Sequence, residues 1–186
     1  TSINPDTKTV AGITHTGDPF TLEYDRLLIA TGADPVIPDW EGRHLKGIFT
    51  VKTIPDVEKM KAYIEERSVQ NAIIIGGGYI GLEMAENLRK LGIAVGIVEQ
   101  NRQLATIFDE DMAELIHDEA VKQDVSLHLN QSVQSFNGKE HVETVVTDEQ
   151  ELEADLVIVA VGARPNTAFL KDLPFHFFSN GALIVD

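Results

Sequence analysis

The chain has 186 residues, 43 % of them hydrophobic, which suffices for one domain or for one domain with pieces of another. Its formal net charge of −15 argues against nucleic acid or an anionic membrane surface as a partner, and the lack of cysteine excludes disulfide and thiolate chemistry within these residues. No apolar run approaches the roughly 20 residues of a membrane span, and no signal peptide is visible, although a start at Thr1 allows for trimming, so we expect a cytoplasmic protein.

The first part of the chain has the pattern of short β-strands. We expect strands at residues 9–14 and 20–24 with a turn between them. An apolar run at residues 27–30 predicts a buried strand that leads into a tight turn at residues 31–35. We expect Trp40, in the irregular connector that follows, to anchor that connector on the domain surface rather than to stack on a ligand.

A helix precedes the centre of the chain. Residues 47–51 predict a short strand or hinge, and residues 55–67 predict a helix with Val57, Met60 and Ile64 facing inward.

The centre of the chain combines a buried strand with a glycine motif. The run at residues 72–75 predicts a parallel strand, and the Gly-Gly-Gly-Tyr-Ile-Gly that follows fits G-x-G-x-x-G, including Ile80. Gly76 allows a sharp turn, Gly78 allows a pyrophosphate to approach the backbone, and Gly81 allows close packing of helix on strand. The helix N-terminus that follows attracts phosphate groups.

A helix and a second strand complete this unit. The helix is predicted to end at Gly92, and a strand at residues 94–98 ends in Glu99. Glu99 can accept hydrogen bonds from the 2′ and 3′ hydroxyls of an adenosine ribose and repels a 2′-phosphate, which favours NAD(H) over NADP(H). Arg102 weakens that preference because it could contact a phosphate. The parts in this order favour dinucleotide binding, with a purely structural βαβ turn as the alternative. The predicted inward face of the helix comprises Leu82, Ala85, Leu88 and Leu91.

A loop at residues 101–108 is followed by a helix predicted over residues 109–123. The three acids that begin this helix favour a dipole-stabilised first turn over a metal-binding cluster. His117 and His128 are each predicted to be surface or hydrogen-bonded histidines rather than general bases. The predicted inward face comprises Met112, Leu115, Ile116, Glu119 and Ala120.

The last third of the chain returns to strands. Residues 156–161 predict another buried parallel strand, which brings Gly162 to the sheet edge where open α/β sheets bind ligands. The remaining strands are predicted at residues 125–129, in a meander of residues 133–136, 142–147 and 151–154 with a hairpin turn at Asn137-Gly138, and at residues 181–186.

Two apolar segments have the same pattern, and with the glycine motif they resemble a known family. Residues 27–32 (LLIATG) and 157–162 (VIVAVG) both end in a small residue and glycine, which suggests two nucleotide folds, one of them incomplete. The chain resembles the FAD-dependent pyridine nucleotide-disulfide oxidoreductases, and within them the coenzyme A-disulfide reductases and NADH oxidases. The matching segments are YDRLLIATGADPVIP, AIIIGGGYIGLEMAENL, IVEQ and LVIVAVGARPNTAFL, with VKTIPDVEKMKAYI and EMAENLRKLGIAV for the subgroup.

The resemblance implies an α/β fold with a Rossmann-like NAD-binding domain, a parallel sheet, helices and a small antiparallel meander, flanked by remnants of an FAD domain. The implied division is a partial FAD-domain segment at residues 1–48, an NAD(P)-binding domain at 49–170 and the start of a return segment at 171–186. An FAD-binding glycine motif with a redox cysteine would precede residue 1. A flavin-contacting Gly-Asp motif and a dimerisation domain would follow the chain.

The resemblance also implies roles for individual residues. Thr31 and Gly32 would lie close to FAD in the intact enzyme, and Tyr79 would lie near the flavin and the nicotinamide. Glu83 would lie near the nicotinamide carboxamide, and Gly162 would line the NAD site. Packing at the helix start is the alternative role for Tyr79, and stabilisation of the helix dipole is the alternative for Glu83.

The implied activity is hydride transfer from NADH or NADPH to FAD and then to a disulfide, such as coenzyme A disulfide, or to oxygen. We expect neither a catalytic residue nor a metal site within this chain, no turnover by the chain alone, and a homodimeric parent enzyme. The alternatives are a stand-alone, non-catalytic NAD-binding module and a reductase of a protein electron carrier.

Overall fold

The computed structural model describes residues 1–185, which fall into two compact units. The larger unit is Pro35–Gly162, and the smaller comprises Thr1–Asp34 with the residues from Ala163 onward. Within residues 1–185 every helix is too short or too polar to cross a lipid bilayer.

The elements follow one another along the chain with short connections. The three α-helices of the described residues are α1 (Ile54–Arg67), α2 (Tyr79–Lys90) and α3 (Glu110–Lys122), and Ala168–Leu170 form a 3-10 turn. The strands are β1 (Ser2–Asn4), β2 (Thr9–Ile13), β3 (Pro19–Glu23), β4 (Ala33–Pro35), β5 (Ile48–Phe49), β6 (Asn71–Ile75), β7 (Ala94–Glu99), β8 (Val125–Leu129), β9 (Val133–Asn137), β10 (Thr144–Thr147), β11 (Glu151–Glu153), β12 (Leu156–Val159) and β13 (Ala163–Pro165).

The larger unit is built on a five-stranded parallel sheet in the order β5-β12-β6-β7-β8. From β6 the chain passes through α2 to β7 and through α3 to β8, always moving outward on one side. It later returns to place β12 on the other side of β6. The strand order therefore reverses between β6 and β12, and ligands bind at the carboxyl edge of such a switch point. The α/β fold predicted from the sequence is confirmed.

The parallel sheet is buried on both faces, as its continuous apolar strands predicted. Because side chains alternate along a strand, Ala72 and Ile74 of β6 pack in a cluster with Leu88 of α2. Ile73 and Ile75 pack against the antiparallel meander β11-β10-β9 on the other face. Trp40 contacts this second layer as predicted, because its ring meets Phe136 edge to face at a centroid distance of 5.7 Å.

Helix α1 has the start and the face that its sequence predicted. Thr53 caps it, since the Thr53 N–H donates to the Asp56 carboxylate at 2.8 Å, and the Thr53 hydroxyl donates to the same oxygen. The hydrogen bond from this hydroxyl is the main reason why the pKa of Asp56 lies below its usual value. Met60 is 3 % exposed, and Ile64 packs against the same core.

The inward faces predicted for the other two helices are partly wrong. In α2, Ala85 and Leu88 are buried as predicted, but Leu91 is 64 % exposed. Leu91 lies at the helix end, where Gly92 takes a φ of +81° and turns the chain away from the core. Leu82 packs against the core as predicted.

In α3 the apolar stripe is rotated from the predicted one. Ala113 is fully buried, whereas Met112 and Leu115 are 51 % and 61 % exposed. Helix α3 packs against β8, and Ala113 is its fully buried residue. Ile116 and Ala120 pack against the core as predicted, whereas Glu119 is exposed.

The smaller unit contains the antiparallel sheet β1-β2-β3, which confirms the first two predicted strands. The buried strand predicted at residues 27–30 is wrong, because these residues form no strand and Leu28 is 88 % exposed. Within residues 1–185 no strand pairs with this segment. The tight turn predicted at residues 31–35 is also wrong, because part of this segment forms strand β4, which pairs with β13.

The strand predicted at residues 181–186 includes Asp186, which lies outside the described residues. Within residues 181–185 the structure contains an isolated bridge between Phe177 and Leu183 instead of a continuous strand.

Candidate functional site

The candidate site begins where β6 ends, at the switch point of the parallel sheet. Gly76 has a φ of +104°, which favours glycine, and its N–H donates to the Val98 carbonyl at 2.8 Å. A Cβ on Gly76 would stand 2.5 Å from the Ala160 carbonyl oxygen of the neighbouring chain segment. A side chain at this position would therefore collide with the backbone beyond β12.

The other two glycines of the motif serve different purposes. A Cβ on Gly81 would collide with the Gly76 carbonyl, so this glycine permits α2 to pack directly on the turn. The position of a Cβ on Gly78 has no atom within 4 Å. Gly78 is the N-cap of α2, and the N–H groups of a first helical turn have no partner within the helix. This open, electropositive helix end fits a pyrophosphate.

The Glu99 side chain is hydrogen-bonded back to the glycine loop. Glu99 is 9 % exposed, and its Oε2 accepts from the Gly77 N–H at 2.7 Å. Its Oε1 accepts from the backbone N–H of Asn101 at 2.9 Å and from Asn101 Nδ2 at 2.6 Å. A carboxylate has about four acceptor positions. One position on Oε2 therefore remains for a ribose hydroxyl, and a second hydroxyl requires the Asn101 side chain to release Oε1.

Gly77 connects the motif to the loop of residues 101–109, which we call the β7–α3 loop. The Gly77 carbonyl accepts from the Ala105 N–H at 2.8 Å, and a Cβ on Gly77 would collide with the side chain of Leu104. The Leu104 N–H in turn donates to Nε2 of His117 at 2.9 Å. This hydrogen bond agrees with one of the two predicted roles of His117, surface or hydrogen-bonded, but no pattern in the sequence indicated its partner.

The start of α2 presents three of the predicted residues together. Tyr79 and Ile80 are 59 % and 53 % exposed, and Glu83 lies exposed one turn further along the helix. The Tyr79 ring meets Phe108 of the β7–α3 loop edge to face at a centroid distance of 6.4 Å. Phe108 was not identified from the sequence. The roles of Tyr79, Ile80 and Glu83 in binding remain predictions.

Arg102 is engaged in an ion pair at the edge of the site. Its guanidinium lies 2.8 Å from Glu110 Oε2, and both side chains are exposed. Exposed pairs of this kind contribute about 0–1 kcal/mol, so Arg102 can exchange its partner at little cost. Glu110 belongs to the first turn of α3, as the sequence predicted for the three acidic residues 109–111.

Gly162 lies at the same sheet edge as Gly76. It follows the end of β12, it is exposed, and its carbonyl accepts from the Val36 N–H at 3.0 Å. Thr31 and Gly32 belong to the smaller unit. There the Thr31 hydroxyl donates to the Asn166 carbonyl at 2.8 Å, and the Asn166 N–H donates to the Gly32 carbonyl at 2.9 Å.

His128 lies in β8, where it pairs in register with Val98 of β7. Its Nδ1 lies 3.2 Å from Gln150 Nε2, and burial lowers the pKa of His128. This contact agrees with the second of the roles predicted for His128, surface or hydrogen-bonded.

Comparison with known proteins agrees with this arrangement. A family model described as pyridine nucleotide-disulphide oxidoreductase matches residues 1–186. The chain is 43 % identical over 162 residues to an NAD(P)H sulfur oxidoreductase (CoA-dependent) of Pyrococcus abyssi, and the match covers 87 % of this chain and 36 % of the relative. The resemblance drawn from the motifs is confirmed.

Two solved structures share the fold over the whole of this chain. An NAD-dependent persulfide reductase from A. fulgidus has a TM-score of 0.91 at 31 % identity, with 100 % of this chain and 35 % of that chain covered. The water-forming NADH oxidase from Lactobacillus brevis, bound to NADH, has a TM-score of 0.87 at 31 % identity, with 100 % and 41 % covered. The present chain therefore spans well under half the length of these proteins.

Proposed function

We propose that this chain, which belongs to the pyridine nucleotide-disulphide oxidoreductase family, binds the NAD(P)H of a flavin-dependent oxidoreductase. The observation that carries the proposal is the glycine turn at the switch point, with an open helix start at Gly78 and a buried Glu99 carboxylate beside it. These residues fit the pyrophosphate and the adenosine ribose of a dinucleotide, respectively.

The residues of this chain bind and orient the nucleotide. When NAD(P)H and FAD are bound, they supply the hydride chemistry. The first-turn N–H groups of α2 hold the pyrophosphate, and Glu99 Oε2 accepts a ribose hydroxyl. Gly162 leaves the sheet edge open for the nicotinamide half. The exposed Tyr79 and Glu83 then contact the nicotinamide end.

The site favours NADH over NADPH. A 2′-phosphate would approach the Glu99 carboxylate, whose charge repels it in a poorly solvated position. Arg102 offsets this repulsion only if its guanidinium leaves Glu110 and binds the 2′-phosphate. The free-energy cost of leaving Glu110 is small because both side chains are exposed. We therefore propose that the protein binds NADPH as well, but more weakly than NADH.

The smaller unit is proposed to belong to an FAD domain, with Thr31 and Gly32 near the flavin. Large apolar side chains of this unit are exposed, including Ile13 at 72 %, Leu22 at 62 % and Leu28 at 88 %. Exposed apolar groups of this number favour a covered surface in a longer protein over a stand-alone NAD-binding module. The division implied by the resemblance, an FAD-domain segment at residues 1–48, an NAD(P) domain at 49–170 and a return segment at 171–186, stays a proposal. The two compact units divide the chain at other points, after Asp34 and after Gly162.

The final electron acceptor is proposed to be a sulfur–sulfur bond, such as coenzyme A disulfide, or oxygen. Relatives of both kinds support this, since one is named a CoA-dependent sulfur oxidoreductase and another a water-forming NADH oxidase. We further propose a homodimer in the cytoplasm that binds neither nucleic acid nor membrane. The formal net charge of −15 supports the last two points.

The test is anaerobic mixing of the purified full-length protein with NADH while the flavin absorbance is recorded. We expect the protein to purify with FAD and the flavin absorbance to bleach. The matched control is the chain of residues 1–186 supplied with free FAD, which we expect to oxidise no NADH. A full-length protein without flavin, or a bound flavin that neither NADH nor NADPH reduces, would contradict the proposal.

A further inference from the structure

The β7–α3 loop is attached to the glycine loop at more than one point. The Ala105 N–H donates to the Gly77 carbonyl at 2.8 Å, and the Leu104 side chain fills the space above the Gly77 Cα. Since the Gly77 N–H is held by Glu99, the peptide groups on both sides of Gly77 are fixed by neighbours. The position of the motif therefore depends on where this loop lies.

His117 holds that loop from the side of α3. Leu104 is fully buried, and its N–H donates to His117 Nε2 at 2.9 Å. A buried N–H that loses its acceptor carries a desolvation penalty, which the loop can relieve only by moving toward water. The acceptor role requires an unprotonated Nε2, so the ring proton lies on Nδ1.

We propose that His117 is a positioning residue for dinucleotide binding, which acts by holding Leu104 and, through it, the Gly77 turn. This inference rests on the proposed function. His117 contacts the loop and not the motif itself, so its effect passes through the Leu104 N–H. Loss of the acceptor releases Leu104 and Ala105, and the Gly77 peptide then loses one of its two fixed neighbours.

Two substitutions at this position separate hydrogen bonding from packing. His117→Gln keeps an acceptor oxygen at about the reach of Nε2, whereas His117→Leu keeps bulk and removes the acceptor. The matched control is His128→Leu, because His128 is another half-buried histidine with a side-chain hydrogen bond, here to Gln150, and it belongs to β8 rather than to α3. The control reports what general destabilisation does to nucleotide binding.

The experiment is calorimetric titration of the full-length wild-type protein and the three variants with NADH and, separately, with ADP-ribose, which lacks the nicotinamide. We expect His117→Leu to lower the affinity for both ligands about tenfold, which is the effect of one lost buried hydrogen bond. His117→Gln should stay within about threefold of wild type, and His128→Leu should not change affinity. The exchange rate of the Leu104 amide hydrogen should rise in His117→Leu and fall back in His117→Gln.

Wild-type binding of NADH with unchanged affinity in His117→Leu would overturn this inference alone. Equal losses in His117→Leu and His117→Gln would overturn it too, because packing would then explain the effect. A wild-type protein that binds neither NADH nor NADPH would remove the proposed function and this inference together.

Discussion

Residues 27–32 and 157–162 have nearly the same pattern in the sequence and opposite surroundings in the structure. In the second segment Val157 and Ile158 are fully buried, and β12 pairs with strands on both sides. In the first segment Leu28 is 88 % exposed, and no strand of residues 1–185 pairs with it. An apolar run with a small residue and glycine at its end is therefore a candidate strand. The neighbours that it finds decide whether the strand forms.

The largest expected effect is the difference in stability loss between two leucine-to-alanine substitutions, one at Leu156 beside the second segment and one at Leu28 in the first. Leu156→Ala should lower the free energy of unfolding of the chain by about 2–5 kcal/mol, because a fully buried side chain is lost. Leu28→Ala should change it by less than about 0.5 kcal/mol. Denaturant unfolding of residues 1–186 measures both values, and equal losses would show that Leu28 is buried in solution.

Measuring Leu28→Ala in the full-length protein as well would sharpen the comparison of the two segments. If an FAD domain covers residues 27–30, Leu28→Ala should there lower the free energy of unfolding by about 2 kcal/mol or more. A value that stays near zero in the full-length protein would contradict the covered surface.

The second prediction compares two glycines of one motif. Gly81→Ala should lower the free energy of unfolding by about 1–3 kcal/mol, because its Cβ collides with the Gly76 carbonyl. Gly78→Ala should lower it by less than about 1 kcal/mol, since its Cβ meets open space. Gly78→Ala should nevertheless weaken NADH binding about tenfold, because the methyl group would stand where we propose that the pyrophosphate approaches the backbone. Unchanged affinity in Gly78→Ala would place the phosphates elsewhere.

The smallest effect concerns the outer strand of the parallel sheet. Burial lowers the pKa of His128 from its ordinary value of 6.5, so the unfolded chain takes up this proton at a higher pH than the folded chain does. The free energy of unfolding should therefore fall as the pH drops from 6.5 through the lower folded pKa. His128→Gln should reduce this slope, which unfolding curves at several pH values measure. If the slope is the same in the variant, the pH dependence of the free energy of unfolding arises from titratable groups other than His128.

The β6–α2–β7 unit was predictable because each of its parts has a local signature. The apolar run of residues 72–75, the glycines and the terminal acid follow one another in about thirty positions, the length of a βαβ unit. The place of Gly162 at the sheet edge was also predictable, because the apolar run before it indicates a second buried parallel strand. The pairing of β12 with β6, which creates the switch point, was not predicted.

The support of the site was not predictable, because it depends on contacts between separate elements. The Ala105 bond to Gly77 and the His117 bond to Leu104 join a loop and a helix whose sequences have no distinguishing pattern. The rotation of α3 was missed for a related reason. Helix α3 has apolar residues on more than one side, so its sequence pattern does not decide which of them is buried, and the fully buried one is Ala113.

The most direct test of the site is the ratio of the dissociation constants for NADPH and NADH, measured by calorimetry on wild type and on Glu99→Gln. We propose that Glu99 holds the ribose and repels a 2′-phosphate, so we expect wild type to bind NADH more tightly than NADPH. Removal of the charge should narrow the ratio about tenfold or more, the effect of about 1.4 kcal/mol. A ratio that does not change in Glu99→Gln, or a wild-type protein that binds neither nucleotide, would contradict the account.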